Sequence, residues 1–443
     1  MSKLYWRMPC AMATAILASG CASLPLEQGR SSVQSLVRAH VPVAAAGDAM
    51  ASDGAQTQVD AWLAAPLSLE QAQQVALLRN PALKAHYARL GLSAAEVFEA
   101  GRLQNPSLGI SWLLPLGSAD GSKLGASLMT SFADLLMRRA RQRIAGAEFA
   151  AMQEQIAADT LEVMAATQRA WYACVAANQR LAVRRSIAEA ARLAADLAQQ
   201  YREAGNINAL EHQVQRAEAS QARIALQDAQ MELADARAGL QKQMGLAAGQ
   251  SRWTVPEVLP DMPAGDPPAL EPLLAKVLDQ RLDVSAARKQ VQALRERRDA
   301  AHRYRLLADS RVGAALDREG DGAKRLGPSV ELALPLFHQG QGEIARADAQ
   351  LAAGEAQLAE LEVAAHAELA RQVSRIGLAR EQVQAYREGL IPEREAVVAR
   401  LVEQANFMLV DSFAVLMARQ QEYAAYDGYV DAMLKFWNAQ VDL

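Results

Sequence analysis

Residues 105–132, NPSLGISWLLPLGSADGSKLGASLMTSF, decide the reading of the whole chain. Ile110, Trp112, Leu114 and Leu116 fall on one parity, with Gly109, Ser111, Leu113 and Pro115 on the other. After a short polar break the alternation resumes, with Leu124, Ala126, Leu128 and Phe132 set against Gly125, Ser127 and Ser131. Apolar residues at period two around a Gly/Ser/Asp/Lys turn predict a β-hairpin with one apolar face. The chain that follows is rich in Ala, Gln, Glu and Arg, the composition of long helices. It does not say what the apolar face of the hairpin packs against.

The pattern occurs twice. Val312, Ala314 and Leu316 alternate with Arg311, Gly313 and Asp317; after REGDGAKRLGP, Val330, Leu332, Leu334 and Leu336 alternate with Ser329, Glu331 and Ala333. Strands are thus expected at about 108–116, 124–132, 310–317 and 328–337. Such lengths suit tilted strands crossing an outer membrane. A two-stranded surface hairpin on a soluble body is the other reading, but isolated hairpins are marginal and leave edges unpaired.

The flanking segments are duplicated too. LRNPALKAHYARL at 78 parallels QRLDVSAARKQVQ at 280, RQRIAGAEFAA at 141 parallels QGEIARADAQL at 341, and YREAGNINALE at 201 parallels LVEQANFMLVD at 401. The near-constant offset, 202, 200 and 200 residues, marks an internal duplication. Each half reads as helix, two strands, then a long helical hairpin.

No proline stands between Pro115 and Pro256, and the sequence favours continuous helix from about Ala140 to Glu203. Ile187, Ala190, Ala194, Leu197 and Tyr201 recur at threes and fours, as do Ile207, Leu210, Val214, Ala217, Gln221 and Ile224 on the return arm. That is coiled-coil spacing, with seam residues small enough for close antiparallel packing. SRWTVPEVLPDMPAGDPP, 251–268, holds five prolines and is expected to leave the helix and join the two halves across their outside. Pro392 predicts a kink or break in the first arm of the last hairpin.

Composition narrows the function. The chain has 443 residues, 51% hydrophobic but only 5% aromatic, and a net charge of −4. That charge gives no basic field for a nucleic-acid partner, and no long apolar window predicts a transmembrane helix. MSKLYWRMPCAMATAILASG, residues 1–20, has the basic start and apolar stretch of an export signal. Leu17-Ala18-Ser19-Gly20-Cys21 resembles a bacterial lipobox, which makes Cys21 the expected lipidation (palmitate) site; a plain signal peptide is the alternative. Residues 21–66 then read as a lipidated N-terminus and flexible tether. With Cys10 removed and Cys21 lipidated, Cys174 is the one remaining thiol, so no intrachain disulfide and no Cys metal cluster is expected. The six His residues are scattered, His338 reads as interfacial, and Met408 and Met417 read as packing rather than as metal ligands. No catalytic constellation, metal site or cofactor is expected.

From residue 68 to 443 the chain resembles the TolC family of outer-membrane efflux proteins. The resemblance is carried by RNPAL, LQNPSL, GPSVELALPLFHQGQGEIARADAQL, the YREAGNINALE tip and its counterpart. It implies a mainly α fold with a β-barrel part: two efflux repeats, 67–250 and 269–443, in a homotrimer that shares a twelve-stranded outer-membrane barrel continued by an α-helical periplasmic tunnel. On that reading the apolar strand faces meet outer-membrane lipid, while Arg311 and Glu331 point into the lumen. The family serves as the exit duct of tripartite pumps, with a periplasmic adaptor and an inner-membrane pump, most simply of RND type, as partners. The final run of sequence resembles branches linked to heavy-metal resistance. The resemblance further implies that Asp411, Glu211 and Glu403 line the periplasmic aperture, while Val402 and Phe407 replace a polar latch found elsewhere in the family. Gly205, Asn206, Ile207, Asn406, Phe407, Met408 and Leu409 would form the adaptor-docking tips. A type I protein-secretion duct and a structural envelope coiled coil are the alternatives.

Overall fold

The structure, a computed structural model, describes residues 27–41, 53–114, 122–247, 252–265, 269–305, 310–319, 321–332, 334–337 and 339–443. In chain order the helices are α1 Arg30–His40, α2 Asp53–Leu63, α3 Leu69–Arg79 and α4 Pro81–Ala100. Strands β1 Ser107–Leu113 and β2 Lys123–Ser131 follow, then the 72-residue α5 Phe132–Glu203 and α6 Ala209–Gln243. The second half brings α7 Leu270–Gln280, α8 Leu282–Tyr304, β3 Arg311–Arg318, β4 Lys324–Glu331 and α9 Gln341–Gln384. A π-helical turn, Ala385–Leu390, leads into α10 Ile391–Asn406, and α11 Ser412–Asp442 ends the chain.

The two halves repeat one another down to their breaks. Between α3 and α4 the chain bends at Asn80, and between α7 and α8 at Arg281, both with ψ 120° and both donating N–H four residues back. At Asn80 the reason is local. Its Oδ1 accepts from the N–H groups of Ala82 and Leu83 at 2.8 and 3.2 Å, and Pro81 follows at the first helical position. At Arg281 the guanidinium grips Asp283 and Glu368, each at 2.8 Å. Burial lowers the Arg281 pKa less than these two carboxylates raise it, so its net shift is upward.

Packing divides the chain into two units. Of the described residues, the strand unit comprises those at 27–33, 87–156 and 285–359, and the helical unit those at 34–86, 157–284 and 360–443.

In the strand unit all four strands form one antiparallel sheet in the order β1-β2-β3-β4. The strands are 7 to 9 residues long: β2 and β3, at 9 and 8, have the lengths expected, while β1 at 7 and β4 at 8 are each shorter by two residues. The largest difference is β4, which runs 324–331 rather than 328–337. Asp321 and Gly322 (φ +87°) turn the chain so tightly that pairing resumes at Lys324, opposite Arg318. Leu332, Leu334 and Leu336 lie beyond the strand, on exposed irregular chain beside Pro335. Pro328, which has no N–H to give to a ladder, lies on β4, an edge strand of the sheet within this chain. β2 passes straight into α5: Ser131 Oγ accepts from Asp134 N–H at 3.2 Å, and Phe132 N–H bonds Ser310 O at 2.9 Å. α8 is held on two sides by ion pairs, Arg297–Glu148 at 2.6 Å to α5 and Arg295–Glu355 at 2.7 Å to α9.

The helical unit has a core of Trp171, Tyr172, Val175, Leu240, Met244, Trp253, Ile376, Val383, Met433 and Phe436. Trp171 donates its indole N–H to Leu67 O at 2.9 Å, and Tyr172 stacks on Trp437 with ring centres 4.9 Å apart. The proline-rich segment was expected across the outside. Instead it buries Trp253, Val255 and Leu259 in this core, and Trp437 donates to Pro260 O at 3.0 Å. Proline stops helix formation there but leaves the apolar side chains between prolines free to insert. The expected flexible tether is likewise partly helical: α1 and α2 fall within 21–66, with Val33, Val37 and Val59 buried. Spacing of i, i+4 at Val33 and Val37 is the signal that its Ala/Ser/Gly composition hid.

The helical seams correct the phase read from sequence. On α5 the buried positions are Ile187, Ala191, Ala194 and Ala198, so Ala191 and Ala198 replace Ala190 and Leu197. On α6 the buried or half-buried side runs His212, Gln215, Ala219, Ala222, Leu226, Ala229, Leu233, Ala236 and Leu240, an unbroken heptad. The apolar stripe expected to be its seam, Leu210, Val214 and Ile224, is exposed instead, as is Met231. α6 thus carries two stripes. The alanine-rich one allows close packing within the hairpin, and the larger residues remain outside. Before Pro392, bonding shifts from α to π spacing, with Ile391 N–H reaching Tyr386 O. The missing proline N–H is accommodated by that wider turn.

Candidate functional site

Register assigns every strand residue to a face, because paired residues share a side and neighbours alternate. One face consists of four cross-strand rows: Thr130, Val312 and Val330 nearest the helices; then Leu108, Leu128, Ala314 and Pro328; then Ile110, Ala126, Leu316 and Leu326; and last Trp112, Leu124, Arg318 and Lys324. Apart from the basic pair in the last row and Thr130, this face is apolar. It is also uncovered: Ile110, Trp112 and Leu326 are 71%, 70% and 76% exposed. The other face carries Ser107, Gly109, Ser111, Gly125, Ser127, Gly313, Asp317, Arg325, Ser329 and Glu331, with Leu113, Met129 and Ala315 among them. Arg311 and Glu331 are directly paired on this polar face, at its helix end, and both are exposed. Among the described residues β1 and β4 leave two unpaired edges.

The two helix tips, both in the helical unit, are built alike. After α5, Asn206 N–H returns to Tyr201 O at 2.8 Å and Gly205 takes φ +78°; after α10, Leu409 N–H returns to Gln404 O at 2.9 Å and Met408 takes φ +60°. These are the same helix-ending turn. Asn208 caps α6 through Glu211 N–H, and Asp411 caps α11 through Ala414 N–H at 2.8 Å. Gly205 thus corresponds to Met408 and Asn208 to Asp411, an offset of 203 rather than 200. Glu211 is not the structural counterpart of Asp411. Its carboxylate accepts from Asn208 N–H at 3.1 Å and closes a capping box, whereas Asp411 is itself the cap. Glu403 is exposed and pairs with Arg400 at 3.4 Å. Ile207 is half-buried at the first tip; Asn206 and Asn406 are exposed, and Phe407, Met408 and Leu409 form an exposed apolar group at the second.

Met408 occupies a left-handed backbone position that suits glycine, and its side chain is 93% exposed, so little packing offsets the strain. Met408→Gly should stabilise the protein by about 0.5–1 kcal/mol, the left-handed penalty less the extra unfolded-state freedom of glycine. Urea unfolding followed by helical circular dichroism measures it; a neutral or destabilised variant would contradict the strained-cap assignment.

Arg180 sits in the densest ionic cluster of the helical unit. Burial pulls its guanidinium pKa down, but Glu232, Asp427 and Asp431 outweigh that and raise it. Tyr426, bonded to the Glu395 carboxylate across α10 and α11, is pushed up to about 12 by that hydrogen bond and by burial. Burial raises the Cys174 thiol to about 11, only partly countered by Arg237, so it is protonated and unreactive at neutral pH. Among the described residues no group of three His, Cys, Asp or Glu side chains could hold a metal ion. No described helix is long and apolar enough to cross a membrane. Cys21 and His338 lie outside the described residues.

No curated protein sequence matches the chain significantly. Residues 72–246 match the family model for outer membrane efflux proteins. Among solved structures, the Campylobacter jejuni CmeC outer membrane channel superposes with a TM-score of 0.73 at 16% identity, over 84% of each chain. The Vibrio cholerae outer membrane protein VceC gives 0.70 at 16% identity, over 85% of this chain and 94% of that one. The open state of the Neisseria gonorrhoeae MtrE outer membrane channel gives 0.63 at 15%, over 85% and 87%. Residues 72–246 thus match the outer membrane efflux protein family in sequence, the second half repeats the element order of the first, and the fold is that of these channels.

Proposed function

We propose that the chain is the outer-membrane exit duct of a tripartite efflux pump, passively conducting small toxic solutes, drugs or heavy-metal cations, to the outside. The observation that carries this reading is the four-stranded sheet, with its apolar face uncovered and both edges unpaired. A bilayer covers such a face, and three copies joined edge to edge give a closed barrel of twelve strands with the Ser/Gly/Arg/Glu face inside. The exposed heptad stripe Leu210, Val214, Ile224 and Met231 supports the same homotrimer, since a neighbouring helix would cover it. The tips, with Phe407, Met408 and Leu409, would meet a periplasmic adaptor bound to an inner-membrane pump, RND type being the simplest choice. Detergent-purified protein should run as a trimer and open steady conductances in planar bilayers. A detergent-free soluble monomer without conductance would defeat the proposal.

Cys21 is proposed as the lipid anchor. Cys21→Ser should abolish palmitate labelling and leave the unprocessed precursor; normal cleavage with retained export would assign an ordinary signal peptide.

Asp411 is proposed to ring the periplasmic aperture, with Glu403 and Glu211 as lesser contributors. Three carboxylates in a narrow throat repel one another and concentrate cations. Asn also caps helices well, so Asp411→Asn removes the charge while keeping the α11 cap. Divalent-cation block in single-channel recordings should weaken about ten-fold, with a smaller effect from Glu211→Gln. Unchanged block and selectivity would leave Asp411 as a helix cap alone.

A further inference from the structure

The last row of the apolar sheet face, at the end where the strands turn, reads Trp112, Leu124, Arg318 and Lys324 across all four strands. Three rows of apolar side chains therefore end in an aromatic ring and two cations on the same side. Arg318 and Lys324 are directly opposed across β3 and β4, and both are exposed. Like charges at opposed positions destabilise a strand pair. Neither makes an ion pair with a carboxylate among the described residues. Of the acids close along the chain, Glu319 is taken by Arg325 at 3.2 Å, which belongs to the opposite face, and Asp321 accepts from Ala323 N–H at 2.9 Å within the turn. Asp317 is also on that opposite face. Among the described residues the two cations thus lie together without an anion, at the border where an apolar surface ends.

We propose that Arg318 and Lys324 hold the phosphate of an anionic lipid headgroup. The inference rests on the membrane reading above and adds to it a lipid class and a binding position. Long basic side chains at the rim of an apolar band extend along it and carry their charge to headgroup level, where aromatic rings also settle. A phosphate between them offsets the repulsion that the strand pairing imposes, with the guanidinium supplying a two-pronged contact and the ammonium a point charge. A lipid fits better than a free ion, because the acyl chains continue along Leu316, Leu326 and Ile110 in the adjoining row.

The test uses the full-length protein in vesicles of phosphatidylcholine, alone or with phosphatidylglycerol added. Protease protection reports insertion, and native mass spectrometry reports the lipid retained. The wild type should retain phosphatidylglycerol over phosphatidylcholine by on the order of ten-fold. R318Q with K324Q should insert as well as the wild type and lose that preference, while R325Q, one residue away on the other face, should keep it. A preference that survives the double substitution, or that falls equally in R325Q, would overturn the assignment. So would its complete loss in millimolar inorganic phosphate, which would make the site one for a free anion. A chain that inserts in neither vesicle would instead bring down the membrane reading, and the inference with it.

Discussion

Leu326→Arg should prevent outer-membrane assembly. Leu326 stands in the third row of the apolar face, between two other apolar rows and the rim row, and is 76% exposed with no protein neighbour to shelter it. Arginine on the lipid face of a β-barrel costs about 2–4 kcal/mol at the midplane and less towards the interface. Leu326 stands one row in from the rim, so three copies of the substitution in one trimer would cost roughly 3–6 kcal/mol, a large part of the stability of an ordinary domain. The expected result is loss of the trimer band from the outer-membrane fraction, with the chain degraded or aggregated. Ser329→Arg supplies the comparison, since Ser329 lies on the polar face of the same strand. That variant should assemble and change conductance instead. Normal assembly of Leu326→Arg would show that this face does not meet hydrocarbon.

Trp253→Ala should be the most damaging single change in the helical unit. The side chain is 1% exposed, and the Arg237 guanidinium lies 4.4 Å from its ring centre while donating to Trp253 O at 2.8 Å. Removing a buried tryptophan costs about 3–5 kcal/mol through lost transfer energy and the remaining cavity. The cation–π contact adds to that loss. Trp253→Phe should cost much less, because the indole Nε1 is buried with no hydrogen-bond partner among the described residues and nothing is forfeited there. Urea midpoints of the two variants decide the matter. An alanine variant within 1 kcal/mol of wild type would mean that the proline-rich segment is merely laid against the core.

Period-two alternation alone placed Ile110, Trp112, Leu124, Leu128, Leu316 and Val330 on one face, because side-chain direction along a strand follows from backbone geometry without reference to neighbours. The duplication and the helical arms were equally legible, since repeat spacing and helix propensity are properties of the chain itself. Family resemblance then supplied the assembly, which no single-chain periodicity contains. What tertiary structure decided was choice among local alternatives. Two apolar stripes on α6 satisfy coiled-coil spacing, and only packing shows that the alanine-bearing one faces inward while Leu210, Val214 and Ile224 remain outside. The tip offset of 203, which separates the roles of Glu211 and Asp411, depends on backbone hydrogen bonds at the helix ends. The rim row of Trp112, Leu124, Arg318 and Lys324 has a like origin. Its members come from four strands, and their alignment is set by register, which is a relation between segments distant in the chain.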